Sequence, residues 1–172
     1  QVIKLNNLTE AYIRPMCFYG SEGMGLRADN LEVHCMVAAW EWPSYMDPEA
    51  REKGIKVKLS SYTRQVRNPV SSAKVNGNYV HSIVALNEAL SEGFDEALML
   101  DAEGNVAEGS GENIFIVKDN VLITPDLDAS LDGITRRTIL DLAKELNINC
   151  EIKKLKTEHV LEADEAFFSG TA

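Results

Sequence analysis

Apolar positions in this chain recur at two spacings, every second residue or every third to fourth, and the change between them predicts the elements. Alternation through Tyr12, Arg14, Met16 and Phe18 predicts an extended segment between Leu8 and Gly20, and Pro15 makes it an edge strand or a bulge. Leu31 to Trp40 predicts a second strand. Glu41 to Pro48 breaks all regularity with two prolines, so a domain boundary is predicted there: residues 1–45, a linker at 46–52, and residues 53–172. Ile55 to Leu59 alternates strictly and predicts a strand with one buried face. Ser60 to Ser72 is irregular. Tyr79, Ile83, Leu86 and Leu90 then recur at helical spacing, which predicts a buried helix closed by Gly93. Glu96–Leu100, Asn105–Glu108, Asn113–Val117 and Val121–Thr124 predict short strands of an antiparallel meander, separated by Gly- and Asn-containing turns. Ile139, Leu142, Ala143 and Leu146 predict a second amphipathic helix starting near Thr135, a good capping residue. Ile148–Ile152 predicts a strand, Thr157–Glu162 a helical turn, and Glu165–Phe168 a last strand. The class is α+β, with helices packed on a largely antiparallel, curved sheet.

Composition narrows the function. The chain has 172 residues, 45% hydrophobic and 26% charged, with a formal net charge of -10. That balance fits an ordinary soluble globular protein and argues against nucleic acid as a partner. No apolar run reaches the length needed to cross a bilayer. The three cysteines, Cys17, Cys35 and Cys150, lie scattered in apolar segments and read as buried free thiols in a reducing compartment. The histidines show no metal-ligand spacing, so no metal is expected. Gly20 to Gly25 lacks both the dinucleotide fingerprint and the lysine of a P-loop, and reads as a flexible turn. Neither end looks like a natural terminus, so a segment of a longer protein is expected.

The candidate chemistry lies in four places. Lys74 stands just ahead of the first long helix, a fixed point suited to an amine that attacks an aldehyde once burial or cationic neighbours lower its pKa. Glu108 ends a strand beside glycines and could approach a flat ring closely. Leu131-Asp-Gly133-Ile134-Thr135 opens the second helix, where free N–H groups and a hydroxyl form a natural anion cup. Gly170 and Thr171 add donors at the end of the last strand. Arg14, on an aromatic face, is either an edge arginine in water or one that faces a carboxylate. Trp42 and Tyr45 either line an interdomain cleft or pack the linker.

Together these residues resemble the fold-type IV pyridoxal-phosphate enzymes, most closely the bacterial branched-chain aminotransferases. The motifs are Ala73-Lys74 with Gly77-Asn78-Tyr79, Glu108-Gly-Ser-Gly-Glu-Asn-Ile-Phe115, Gly133-Ile-Thr-Arg136 and Ala163-Asp-Glu-Ala-Phe-Phe-Ser-Gly-Thr-Ala172. The resemblance implies a D-amino-acid aminotransferase-like fold, with residues 1–45 in a small domain and 53–172 in a large cofactor-binding domain. It implies pyridoxal 5'-phosphate as cofactor, and transamination between branched-chain L-amino acids and 2-oxoglutarate. Lys74 would form the internal aldimine and shuttle the proton. Glu108 would pair with the ring nitrogen, Tyr79 with the phenolic oxygen, and Leu131 would pack on the ring. Gly133, Ile134, Thr135 and Thr171 would hold the phosphate. Tyr12, Thr171 and Ala172 would take the substrate α-carboxylate, and Arg14 the side-chain carboxylate of glutamate. Met24, Leu26, Trp42 and Tyr45 would line the aliphatic pocket. The resemblance also implies a homodimer or larger homo-oligomer. A cytoplasmic setting follows from the free cysteines and the lack of a signal pattern. Relatives of the same fold, D-amino-acid aminotransferase and aminodeoxychorismate lyase, are alternatives, as are a non-catalytic fragment and a cofactor-free lysine aldolase. The family's N-terminal segment, with a further phosphate-binding arginine, is missing here, as is its stretch beyond Thr171-Ala172. The chain alone is therefore expected to be incomplete as a catalyst.

Overall fold

A computed structural model describes residues 1–42, 48–64 and 73–171. They form two compact units, Gln1–Pro48 and Glu49–Thr171. The first unit holds a short helix α1 (Val2–Leu5) and an antiparallel ribbon of β1 (Tyr12–Tyr19) and β2 (Val33–Trp40). The ribbon's register pairs Tyr12 with Trp40 and Cys17 with Cys35. Gly20 N–H donates to Glu32 O at 2.7 Å, so counting back from this bonded pair places Cys17/Cys35 and Pro15/Val37 at non-hydrogen-bonded positions. Pro15, which has no N–H to give, therefore costs the ladder nothing. The sequence predicts an edge strand here, and among the described residues β1 pairs only with β2.

In the second unit α2 (Pro48–Lys53) is followed by β3 (Val57–Leu59), the helix α3 (Tyr79–Ser91), β4 (Glu96–Leu100), β5 (Val106–Gly109), β6 (Asn113–Lys118), β7 (Val121–Thr124), α4 (Ile134–Glu145), β8 (Cys150–Ile152), α5 (Thr157–Leu161) and β9 (Glu165–Ser169). The strands form two sheets, β3-β4-β5 and β8-β7-β6-β9. The predicted meander is thus split: β5 and β6 leave through the Gly109–Glu112 turn into different sheets. β3 and β4 run parallel, as do β7 and β8. Each parallel pair is joined through a long helix, because a hairpin cannot link parallel neighbours.

Alternation along the strands builds layers. Leu98, Ile114, Ile116 and Ile123 pack with Val106 and Leu155 in a core shared by both sheets. The intervening residues face outward, Ala97 and Met99 onto Ala85 and Ala89 of α3, and Phe115 and Leu122 onto Ala143 of α4. Phe115 is fully buried and stacks on Phe167 of β9 with ring centroids 5.2 Å apart. At the β6–β7 hairpin Asp119 and Asn120 both take positive φ (50° and 60°), as a two-residue type I′ turn requires.

Several expectations are corrected. The buried stripe of α3 is Ser82, Ala85 and Ala89, while Ile83 and Leu90 are exposed, because small side chains let the helix approach β4 closely. On α4, Leu142 and Leu146 are likewise exposed. Its N-cap is Gly133, so Thr135 lies inside the first turn and does not cap. In β3 the exposed residues are Val57 and Leu59, whereas Lys58 reaches back to Glu92 on the α3 side, 2.8 Å away. All three cysteines are exposed, since the strands that carry them are open to solvent at these positions. Among the described residues no helix is long and apolar enough to cross a membrane.

Candidate active site

The second unit contains a cavity of about 420 Å³ whose walls include Lys74, Asn113, Leu131, Thr135, Ser169 and Thr171. That volume is within the range of small-ligand pockets. Lys74 is exposed, and hydrogen bonding fixes its position: Nζ lies 2.6 Å from Tyr79 Oη, at the first residue of α3. The turn behind it is tied by Asn78 Nδ2 donating to Ala73 O at 2.9 Å.

Glu108 lies behind this wall, 5% exposed. Its Oε1 is 2.7 Å from Arg64, and its Oε2 accepts the Leu131 N–H at 2.8 Å. Burial pushes the Glu108 carboxyl up, against the pull of Arg64, the Leu131 N–H and the Lys74 charge. A buried carboxylate kept in place by a cation is a firm acceptor for a proton on a ligand. Arg64 in turn donates to Asn78 O at 3.1 Å, which links the carboxylate to the turn carrying Lys74.

Asn113 joins Glu108 to the start of α4. Its Nδ2 donates to Leu131 O at 2.8 Å, and a Cβ on Gly133 would collide with its Oδ1. Gly133 has φ -68°, open to any residue, so glycine is required there for space alone. Gly133→Ala is expected to displace Asn113 and cost about 1–3 kcal/mol of stability by overpacking, measured by chemical denaturation. In an Asn113→Ala background the same change should cost far less, because the clashing atom is gone.

Above Gly133 the first N–H groups of α4, those of Ile134 and Thr135, have no carbonyl of their own helix to bond. The Thr135 hydroxyl donates to Gly170 O at 3.0 Å, which ties α4 to the end of β9. The Ser169 hydroxyl is buried and has no partner among the described residues. Backbone donors, a spare hydroxyl and the positive end of a helix suit an anion.

A second carboxylate pair flanks the site. Glu96 accepts the Ala97 and Ser110 N–H groups at 2.6 and 3.1 Å. Burial first, then the Glu96 carboxylate, push the Glu112 carboxyl up to about 7. A raised acid favours the protonated fold. Its contribution is complete below about pH 4.5 and is lost as pH rises through 7. Glu112→Gln should therefore gain stability relative to the parent between pH 5 and 8, read from paired denaturation curves at each pH.

In the first unit Arg14 hydrogen-bonds the Tyr12 hydroxyl at 3.2 Å and stacks over Tyr12 and Trp40, 5.2 and 5.7 Å from their ring centroids. Trp42 packs on Tyr12 at 4.7 Å. Met24 and Leu26 stand exposed in the loop between the strands. Tyr45 and Ala172 lie outside the described residues. The structure thus gathers Lys74, Tyr79, Glu108, Leu131, Gly133, Ile134, Thr135 and Thr171 in one unit, and Tyr12, Arg14 and Trp42 in the other. Sequence reasoning missed Arg64 and Asn113. Asn113 lies within the Glu108–Phe115 motif and opens an apolar strand with a polar amide, but the sequence reading gives it no role.

The chain matches the amino-transferase class IV family over residues 1–172. It is 58% identical over 171 residues to the branched-chain-amino-acid aminotransferase of Pseudomonas aeruginosa, covering 99% of this chain and 56% of that protein. It is similar to the crystal structure of the Escherichia coli branched-chain amino acid aminotransferase, with a TM-score of 0.95, 44% identity, and 99% and 57% coverage. The branched-chain amino acid aminotransferase from Thermobaculum terrenum, solved in its PLP-form (holo-form), gives a TM-score of 0.85 at 31% identity, with 98% and 55% coverage. The chain spans little more than half the length of the curated relatives it matches.

Proposed function

We propose, because this chain belongs to the amino-transferase class IV family, that the protein carrying it exchanges amino groups between branched-chain L-amino acids and 2-oxoglutarate, with pyridoxal 5'-phosphate as cofactor. The observation that carries the reading is one cavity lined by both Lys74 and the free N–H end of α4, with the Glu108–Arg64 pair behind it. The donor set fits a phosphorylated pyridine aldehyde: backbone amides and the spare Ser169 hydroxyl for the phosphate, a buried carboxylate for the ring nitrogen, an amine for the aldehyde carbon. When bound, the cofactor supplies an electron-accepting ring.

The chain's own residues do the rest. Ile134 and Thr135 hold the phosphate through their N–H groups, with Gly133 keeping the approach open and Thr171 adding a hydroxyl. Leu131 packs on the ring. Glu108 keeps the ring nitrogen protonated, and Arg64 keeps Glu108 in place. Tyr79 orients Lys74 Nζ, which would carry the proton from the substrate Cα to the former aldehyde carbon of the cofactor. Arg14 takes the side-chain carboxylate of glutamate and Tyr12 the α-carboxylate, with Thr171 and Ala172. Met24, Leu26, Trp42 and Tyr45 supply apolar surface for the branched chain. The protein works as a homodimer or larger homo-oligomer on free amino acids and 2-oxo acids.

The test uses the intact protein with added pyridoxal 5'-phosphate. After borohydride reduction, peptide mapping should find the label on Lys74 alone, and amino transfer should be fast with L-leucine and slow with D-alanine. Label elsewhere would overturn the site. A preference for D-alanine, or lyase activity on aminodeoxychorismate, would overturn the substrate.

A further inference from the structure

Cys17 and Cys35 face each other across the β1–β2 ribbon with their sulfurs 3.0 Å apart. They occupy a non-hydrogen-bonded pair, where opposite Cα atoms stand about 4.5 Å apart and side chains are closest. That typical separation falls at the short end of the range that a disulfide spans, about 4.4–6.8 Å, so a pair of this kind admits a bridge. Both residues are exposed. They lie on the ribbon face opposite Tyr12, Arg14 and Trp40, because side chains alternate along a strand. The hydrogen bond to Cys17 pushes the Cys35 thiol up.

We propose that Cys17 and Cys35 are a modification site, a dithiol that closes reversibly to a cross-strand disulfide by exchange with a low-molecular-weight disulfide such as glutathione disulfide. A thiolate of the pair attacks one sulfur of the oxidant. A protein–glutathione bond forms, the oxidant's S–S bond breaks and one glutathione thiolate leaves. The second cysteine gives up its proton and attacks the protein sulfur of that mixed disulfide, and a second glutathione thiolate leaves. The protein loses two electrons and two protons, and the oxidant gains them as two thiols. The bridge lies toward the loop end of the ribbon and fixes its register there. The proposal does not depend on the aminotransferase reading.

The experiment takes the reduced intact protein, incubates it with glutathione disulfide, blocks remaining thiols with iodoacetamide, and maps peptides under non-reducing conditions. The expected product is a Cys17–Cys35 linked peptide, with both thiols restored by dithiothreitol. Cys150→Ser should behave as the parent. Cys17→Ser should accumulate a glutathione adduct on Cys35 that does not resolve, and Cys35→Ser the reciprocal adduct. The proposal is overturned if both thiols stay open to iodoacetamide or if the parent stops at single adducts. Linkage to Cys150 or to a second chain would overturn it equally.

Discussion

Lys74→Ala is expected to lower amino transfer by at least about a thousandfold, since it removes the nucleophile together with a general acid–base group, the latter alone worth 10²–10⁴. Stability should hardly move. The lysine is exposed and its bond is to a neighbouring phenol, so losing it should cost at most about 1 kcal/mol. Tyr79, the phosphate end of the cavity and the Glu108–Arg64 pair all stay in place, so the variant should still bind the cofactor through its phosphate. Added methylamine, which replaces the missing amine, should restore part of the rate. A variant that loses its fold or its cofactor together with its rate would assign Lys74 a structural role instead.

Arg64→Met is expected to fail in a different way. It strips the cation from a carboxylate whose side chain is 7% exposed while leaving Leu131 N–H as its main support. Breaking one side of a buried pair costs about 3–5 kcal/mol, because the remaining charge has lost its compensation. Glu108 escapes part of that cost by taking a proton, as burial already pushes its carboxyl up. The acid limb of the activity–pH profile should therefore move to higher pH, since the ionised carboxylate is the form that holds a ring proton. Adding Glu108→Gln to Arg64→Met should recover stability but not rate. Equal losses in single and double variants would show that the pair is not coupled.

How much of this the residues announced depends on the kind of signal each left. The ends of α3 were legible because Gly93, at φ 81°, closes the helix at a backbone position few other residues take. Its buried face was misread: Ile83 and Leu90 carry the hydrophobic signal, but close helix–sheet approach selects Ala85 and Ala89. Strand positions from Glu96 to Thr124 were read nearly residue by residue. The change of sheet at Gly109–Glu112 was not, since a turn's composition does not say which partner comes next. Lys74, Glu108 and Thr135 stood out only as a set. Arg64 sits in a stretch without periodicity, and nothing near it in sequence points to a carboxylate beyond two helical elements.

The two-residue turn at Asp119–Asn120 also bears on the order in which the fold is expected to assemble. Its positive φ values favour β6 meeting β7 across the shortest possible loop, an event of microseconds. β9 must return to the other edge of β6, where Asn113 meets Ser169, and long-range closure of that kind comes late. The β6–β7 hairpin is therefore expected to form first and Ser169–Thr171 to close the cavity wall last, so substitutions in the hairpin should slow folding while substitutions in β9 mainly speed unfolding. A folding chain is expected to complete its anion-binding end, already begun by the N–H groups of α4, when β9 docks and adds the Ser169 and Thr171 hydroxyls, so phosphate affinity should reach its full value at that last step.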